Sequence, residues 1–230
     1  MPGPFLLVHS PLVGPLTWRP VAAELANRGQ GCVVPAIETP LESREPLWRQ
    51  HVRQVVELLA ESDPAPVLVG HSGAGPLLPA IFDGLRGAVA ASILVDADLP
   101  TDGSSRFELF ESQEQVEQFR RTARNGLLPP WSEEALQPQI EDHELRLRFC
   151  EELSPRPLRL YEERLPVPGA WEVSPRGYLL FSESYRGSFE EAEKQHWPTR
   201  KLPGSHFHML NRPAEVAEAL IALASELTRE

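Results

Sequence analysis

Cysteine is scarce in these 230 residues: Cys32 and Cys150 stand far apart, with no Cys-x-x-Cys pair and no histidine at ligand spacing. That leaves no basis for a disulfide framework or a structural zinc site. Cys32 sits in Gly31-Cys-Val-Val-Pro35, a buried-strand pattern, so its expected role is packing. Lysine is equally rare, 2 against 20 arginines, and with 24 prolines this bias points to a high-GC bacterial coding sequence. No run of five basic residues occurs, and 22 basic against 33 acidic residues set a formal charge of −11. Nucleic acids and anionic membranes reward the opposite balance, so neither is an expected partner. Long apolar runs are missing too. The stretch 87–95 is far too short to span a membrane, and residues 1–8 lack the basic start and apolar core of a signal peptide. A cytoplasmic protein is expected. No phosphate-cradling loop with Lys-Ser/Thr is present, so neither a metal nor an organic cofactor is implied.

With 41% hydrophobic and 24% charged residues, the composition is that of a globular chain. A chain this long buries roughly 70% of its unfolded surface and needs no staples. Short apolar runs alternate with amphipathic stretches. Strands are expected at 5–9, 32–37, 66–70 and 88–95, with helices at 16–28, 47–60 and 75–85 between them. Continuous apolar strands separated by helices predict a parallel sheet covered on both faces. The rhythm breaks after Pro100. Residues 101–176 are charged and dotted with aromatics, and read as helices at 111–124 and 133–153 around the breaker Leu127-Leu-Pro-Pro130. Alternation then resumes with a strand at 177–181, a helix at 189–196, a short strand at 199–202 and a last helix at 213–227. Residues 1–100 and 177–230 therefore read as one α/β core interrupted by a helical cap, 101–176.

Two local signals carry chemistry. In Val67-Leu-Val-Gly-His-Ser-Gly-Ala-Gly75 a strand runs into a tight turn and a helix follows, the context of a nucleophile elbow. Residues two before and two after Ser72 must be small, and Gly70 and Ala74 comply. The helix N-terminus turns backbone N–H groups toward the site, with Gly73 as first oxyanion donor. Far downstream, Leu202-Pro-Gly-Ser-His-Phe-His-Met-Leu-Asn-Arg-Pro213 puts two histidines on the loop after the last strand. Serine first and histidine last is the chain order the elbow predicts.

These residues, with Leu7-Val8-His9 and Leu94-Val-Asp96, resemble the α/β-hydrolase superfamily, in its compact bacterial form with a helical cap. The resemblance covers nearly the whole chain, which begins at what would be the family's third strand. It implies His206, four residues before Leu210, as the catalytic base, with His208 at the pocket edge. The family's acid normally follows the strand ending at Phe181, but Phe181-Ser-Glu-Ser-Tyr-Arg186 puts Tyr185 there. Glu183 is expected to serve as the acid, with Asp96 as the alternative and Asp98 and Asp102 behind them. Where relatives read His-Gly-x-Pro, this chain reads His9-Ser-Pro-Leu12, and Pro11 has no N–H to give. Leu12 N–H or the Ser10 hydroxyl must then complete the oxyanion hole. Ser10, His71, Trp131 and His208 are expected pocket residues. Phe107, Phe110 and Trp171 are further candidates for an apolar lining, with 127–130 as its rim.

The implied activity is hydrolysis of a small, partly apolar ester, thioester or lactone through Ser72, His206 and an acyl-enzyme. The alternative is a lyase or cyclase that uses the same pair for acid–base work, which Pro11 and the displaced acid favour. A non-enzymatic receptor on the same scaffold is a third reading. Nothing in the sequence sets the oligomeric state.

Overall fold

The computed structural model describes residues 3–59 and 65–229. Six parallel strands form the central sheet: β1 (Phe5–Val8), β2 (Cys32–Val33), β3 (Val67–His71), β4 (Ala91–Val95), β5 (Arg176–Leu180) and β6 (Thr199–Lys201). Their spatial order is β6-β5-β4-β3-β1-β2. Side-chain alternation divides each buried strand between two cores. Phe5, Leu7, Val67, Val69, Ile93 and Val95 face α1 (Arg19–Asn27) and α7 (Pro213–Leu227), where Leu25, Leu220 and Leu223 are wholly buried. Leu6, Val8, Leu68, Leu94 and Leu180 face α2 (Leu47–Glu57), α3 (Leu78–Gly84) and α6 (Arg186–Lys194). A fully apolar strand is what this two-sided burial requires.

Several expected boundaries shift for local reasons. β2 keeps only two residues of the expected 32–37 strand, because the chain leaves the sheet before Pro35. Ala60, the expected end of the second helix, lies outside the described residues; the helix itself ends at Glu57. The helix expected at 75–85 starts instead as a 3-10 turn, Ser72–Leu77, and becomes α-helical only at Leu78, since Pro76 lacks the N–H an α-helix interior uses.

Between β4 and β5 the chain leaves the sheet. This segment contains α4 (Gln113–Thr122), a single turn Glu133–Leu136, and α5 (His143–Glu152). The single helix expected at 133–153 is thus two, parted around Pro138. Ser112, Ser132 and Asp142 cap the three starts through their side chains. Two short antiparallel ladders, Ser104–Ser105 with Arg164–Leu165 and Leu127–Leu128 with Arg156–Pro157, close the segment on itself. Leu127 and Leu128, expected as a rim, belong to one of these ladders. Phe107, Val116, Leu128, Leu160 and Tyr161 form its own small core against Leu47.

Candidate active site

Five loops converge at the carboxyl edge of the sheet, where open α/β sheets bind ligands. Ser72 follows β3 with φ of +55°, and Asp96 follows β4 with φ of +43°. Both non-glycine residues sit in the left-handed region, a strain of roughly 1–3 kcal/mol each that the surrounding packing must hold. The packing is tight: a Cβ on Gly70 would lie 2.9 Å from Leu78, and one on Gly75 would lie 2.6 Å from the Ala97 Cβ. The Tyr178 hydroxyl bonds both the N–H and the carbonyl of Ala97, fixing the turn that carries Asp96.

Asp96 is fully buried and meets His206 directly, Oδ2 to Nδ1 at 2.7 Å. Three further donors hold the carboxylate: the N–H groups of Phe181 and Ser182 on Oδ1, and the Ser182 hydroxyl on Oδ2. Glu183, the acid expected first, is elsewhere. Its side chain is 69% exposed and pairs with Arg186 and Lys201, because the 3-10 turn Glu183–Tyr185 points it outward. Asp102 accepts from Val167 N–H at the surface of the intervening segment.

The loop bearing His206 is clamped from two sides. Gln139 accepts His206 N–H through Oε1, and its carbonyl accepts from Ser205 and Asn211. His71, completely buried, donates from Nε2 to the His206 carbonyl at 3.0 Å, its ring 4.4 Å from the His206 ring. Burial first, then His206 beside it, drives the His71 imidazole well below its ordinary range, so it remains neutral. With Nδ1 given to Asp96, His206 keeps Nε2 for the cavity. Among the described residues no hydrogen bond joins Ser72 to His206; Ser72 Oγ faces the Tyr185 hydroxyl at 3.3 Å.

Pro11 packs against Gly73: its Cδ and the Ser10 Oγ each lie 3.3 Å from where a Gly73 Cβ would be. Leu12 N–H approaches Ser10 Oγ at 3.5 Å. Ser10, buried, can therefore accept from Leu12 and still donate its own proton beside Gly73. His9 is structural. Its Nδ1 bonds the Ser10 carbonyl and its Nε2 accepts Ile37 N–H, and burial lowers it to about 4.

A cavity of about 520 Å³ opens above these residues. Ser10, Leu12, His71, Ser72, Gly73, Trp131, Tyr185 and His206 all border it, as does Phe110. His208 does not: its ring lies over Phe181 and faces Glu215, and Gly204 must lack a Cβ because that atom would meet the ring at 2.1 Å. Trp171 does not either, being packed edge-on to Phe82 in the core beside α3, and Phe107 turns into the segment's own core. Arg106 and Asp98 also stand in the cavity wall, a place the sequence did not signal for either. Arg106 reaches Gly73 O through Nε and Leu160 O through Nη1, tying the elbow to the intervening segment. One arginine among 20 carries no signal of that role. Asp98, considered only as an acid, lines the cavity, and burial with Glu111 nearby lifts its carboxyl to about 7.

Both cysteines are free, and burial pushes both thiols up. Among the described residues no group of three or more His, Cys, Asp or Glu could hold a metal ion, and no helix is long and apolar enough to cross a membrane.

This is the layout of an α/β-hydrolase, and comparison with other proteins agrees: the chain belongs to the alpha/beta hydrolase family, whose model matches residues 5–219. In sequence it is similar to the carbendazim hydrolyzing esterase of Nocardioides sp. (strain SG-4G), 26% identical over 249 residues, covering 95% of this chain and 98% of that one. In structure it is similar to an extracellular α/β-hydrolase from a Paenibacillus species, with TM-score 0.79 and 18% identity over 96% of this chain and 99% of the other. Tomato methylketone synthase I follows the same fold, with TM-score 0.78 and 14% identity over 99% of each chain. So does a pyrethroid hydrolase from Sphingobium faniae JZ-2, with TM-score 0.75 and 18% identity over 97% of each.

Proposed function

We propose that this protein is a serine hydrolase of small, partly apolar esters, with thioesters and lactones as related substrates. The observation that carries the reading is the 2.7 Å bond from His206 to a buried Asp96, beside a serine on a strained turn at the cavity floor. Ser72 Oγ attacks the acyl carbon and His206 Nε2 takes its proton. Asp96 holds the imidazole tautomer and stabilises the imidazolium. Gly73 N–H and the Ser10 hydroxyl, itself oriented by Leu12 N–H, receive the oxyanion. Water then resolves the acyl-enzyme with His206 as base. Residues 101–176 act as the cap over this site, and Phe110, Trp131 and Phe207 favour an apolar portion of the substrate. A cavity of about 520 Å³ suits a small molecule. The Nocardioides relative is named an esterase, which supports ester cleavage over the other acyl transfers.

The test is intact mass after incubation with a fluorophosphonate probe. The wild type should gain one adduct, and Ser72→Ala and His206→Ala should gain none. Absence of an adduct in folded wild type sinks the acyl-enzyme. Pro11, which removes a backbone donor from the oxyanion loop, favours the second reading, a lyase or cyclase using the same Ser/His pair. Turnover in heavy-oxygen water separates the two, since only hydrolysis puts solvent oxygen into the acid product.

A further inference from the structure

The turn after β5 presents a side chain that the triad leaves unused. Tyr185 closes the short helix Glu183–Tyr185, while His206 takes its carboxylate from Asp96 on the neighbouring strand end. The Tyr185 hydroxyl lies 3.3 Å from Ser72 Oγ. Its ring stacks on the His206 imidazole at 5.3 Å, with 18° between the planes. Among the described residues, Ser72 is the one hydrogen-bond partner of that hydroxyl. Burial, with Asp98 nearby, pushes the phenol above its ordinary range, so it keeps a proton to donate.

The two flanks of the nucleophile differ. Sheet order sets β1 on one side of β3, and β4, β5 and β6 on the other. Ser10 and Pro11, from the loop after β1, crowd Gly73 and define the oxyanion flank. Asp96, Tyr185 and His206 arrive from the opposite flank, where the base returns its proton to the departing group.

We propose that Tyr185 is a catalytic residue that donates a hydrogen bond from its phenol to the leaving-group oxygen, fitting the site to esters of poorly departing aliphatic alcohols. The inference rests on the serine-hydrolase reading above. In the resting site the phenol and the Ser72 hydroxyl satisfy each other. When Ser72 Oγ adds to the carbonyl carbon, its proton passes to His206 Nε2 and the phenol is freed. The tetrahedral intermediate then collapses: the bond from carbon to the leaving oxygen breaks, and His206 Nε2–H delivers its proton to that oxygen. The phenol proton stays on Tyr185 throughout. A fixed donor aimed where charge develops matters most when the leaving group bears that charge badly.

The experiment compares wild type with Tyr185→Phe on a 4-nitrophenyl ester and an ethyl ester of the same acyl group. Tyr185→Phe retains the ring that stacks on His206, and fluorophosphonate labelling with a thermal melt confirms an intact fold and nucleophile. Expected is a fall in kcat/KM of ~30-fold for the ethyl ester against ~3-fold for the nitrophenyl ester, the larger figure being what one lost hydrogen bond to a charged group gives. An equal loss on both esters, or none on either, overturns the role of Tyr185 alone. Wild type that neither labels nor cleaves either ester overturns this inference together with the hydrolase reading.

Discussion

Asp96 accepts four hydrogen bonds from a backbone position that an L-residue enters only under strain. Two come from N–H groups at the end of β5, so the carboxylate's orientation is set by the sheet and not by its own rotamer. An amide in its place keeps the size but can present an N–H to His206 Nδ1, which reverses the tautomer the base needs. Asp96→Asn should therefore lower kcat by roughly 10³–10⁴-fold with little change in KM. Glu183→Gln removes only exposed pairs with Arg186 and Lys201, and exposed pairs contribute about 0–1 kcal/mol. Its activity should stay within about two-fold of wild type. Steady-state kinetics on one ester decides between the two carboxylates, and equal losses would show that Asp96 has no role that Glu183 lacks.

The strand–turn–helix unit that carries Ser72 is held by what its glycines leave out. Gly75 approaches Ala97 so closely that a methyl group there would overlap it at 2.6 Å, and Ala97 adjoins Asp96. Gly75→Ala must push β3 and β4 turns apart. Overpacking of this kind costs about 1–3 kcal/mol, and for a chain of this size the midpoint should fall by about 5 °C. Circular dichroism melts measure it, and an unshifted midpoint would show that the turns can separate freely. This unit was legible in the sequence because its constraints are local: small residues flank the serine within a few positions, between an apolar strand and a helix. The helix Pro213–Leu227 was legible to the residue, started by proline and patterned throughout. The choice between Glu183 and Asp96 as the partner of His206 was not. It depends on which strand end turns inward, and that is fixed by φ at Asp96 and by donors from Phe181 and Ser182, far away in sequence. Gln139 was hidden for a related reason: Pro138 breaks an expected helix, and the break delivers the glutamine to the His206 loop.

Across the whole molecule, buried ionisable groups pull stability in opposite directions with pH. His9 and His51 are lowered to about 4 and about 3, burial being the main cause in each. The unfolded chain takes up protons below about 6.5, where the folded chain refuses them. Their stabilising contribution is full above that value and is lost as pH falls. Asp98 runs the other way. Its carboxyl, raised to about 7 mainly by burial, stays protonated in the folded chain while the unfolded chain ionises near 4. Its contribution is full below that point and is lost as pH rises through about 7. At about 1.4 kcal/mol per unit, each of the three is worth on the order of 3–5 kcal/mol. Two histidines outweigh one carboxyl, and His71 adds to their side. The melting midpoint should therefore drop between pH 7 and pH 4.5. Asp98→Asn removes the opposing group, so the variant should melt higher than wild type at pH 8 and lose more on acidification. A shallower acid slope in Asp98→Asn would contradict a carboxyl buried in its neutral form at the cavity wall.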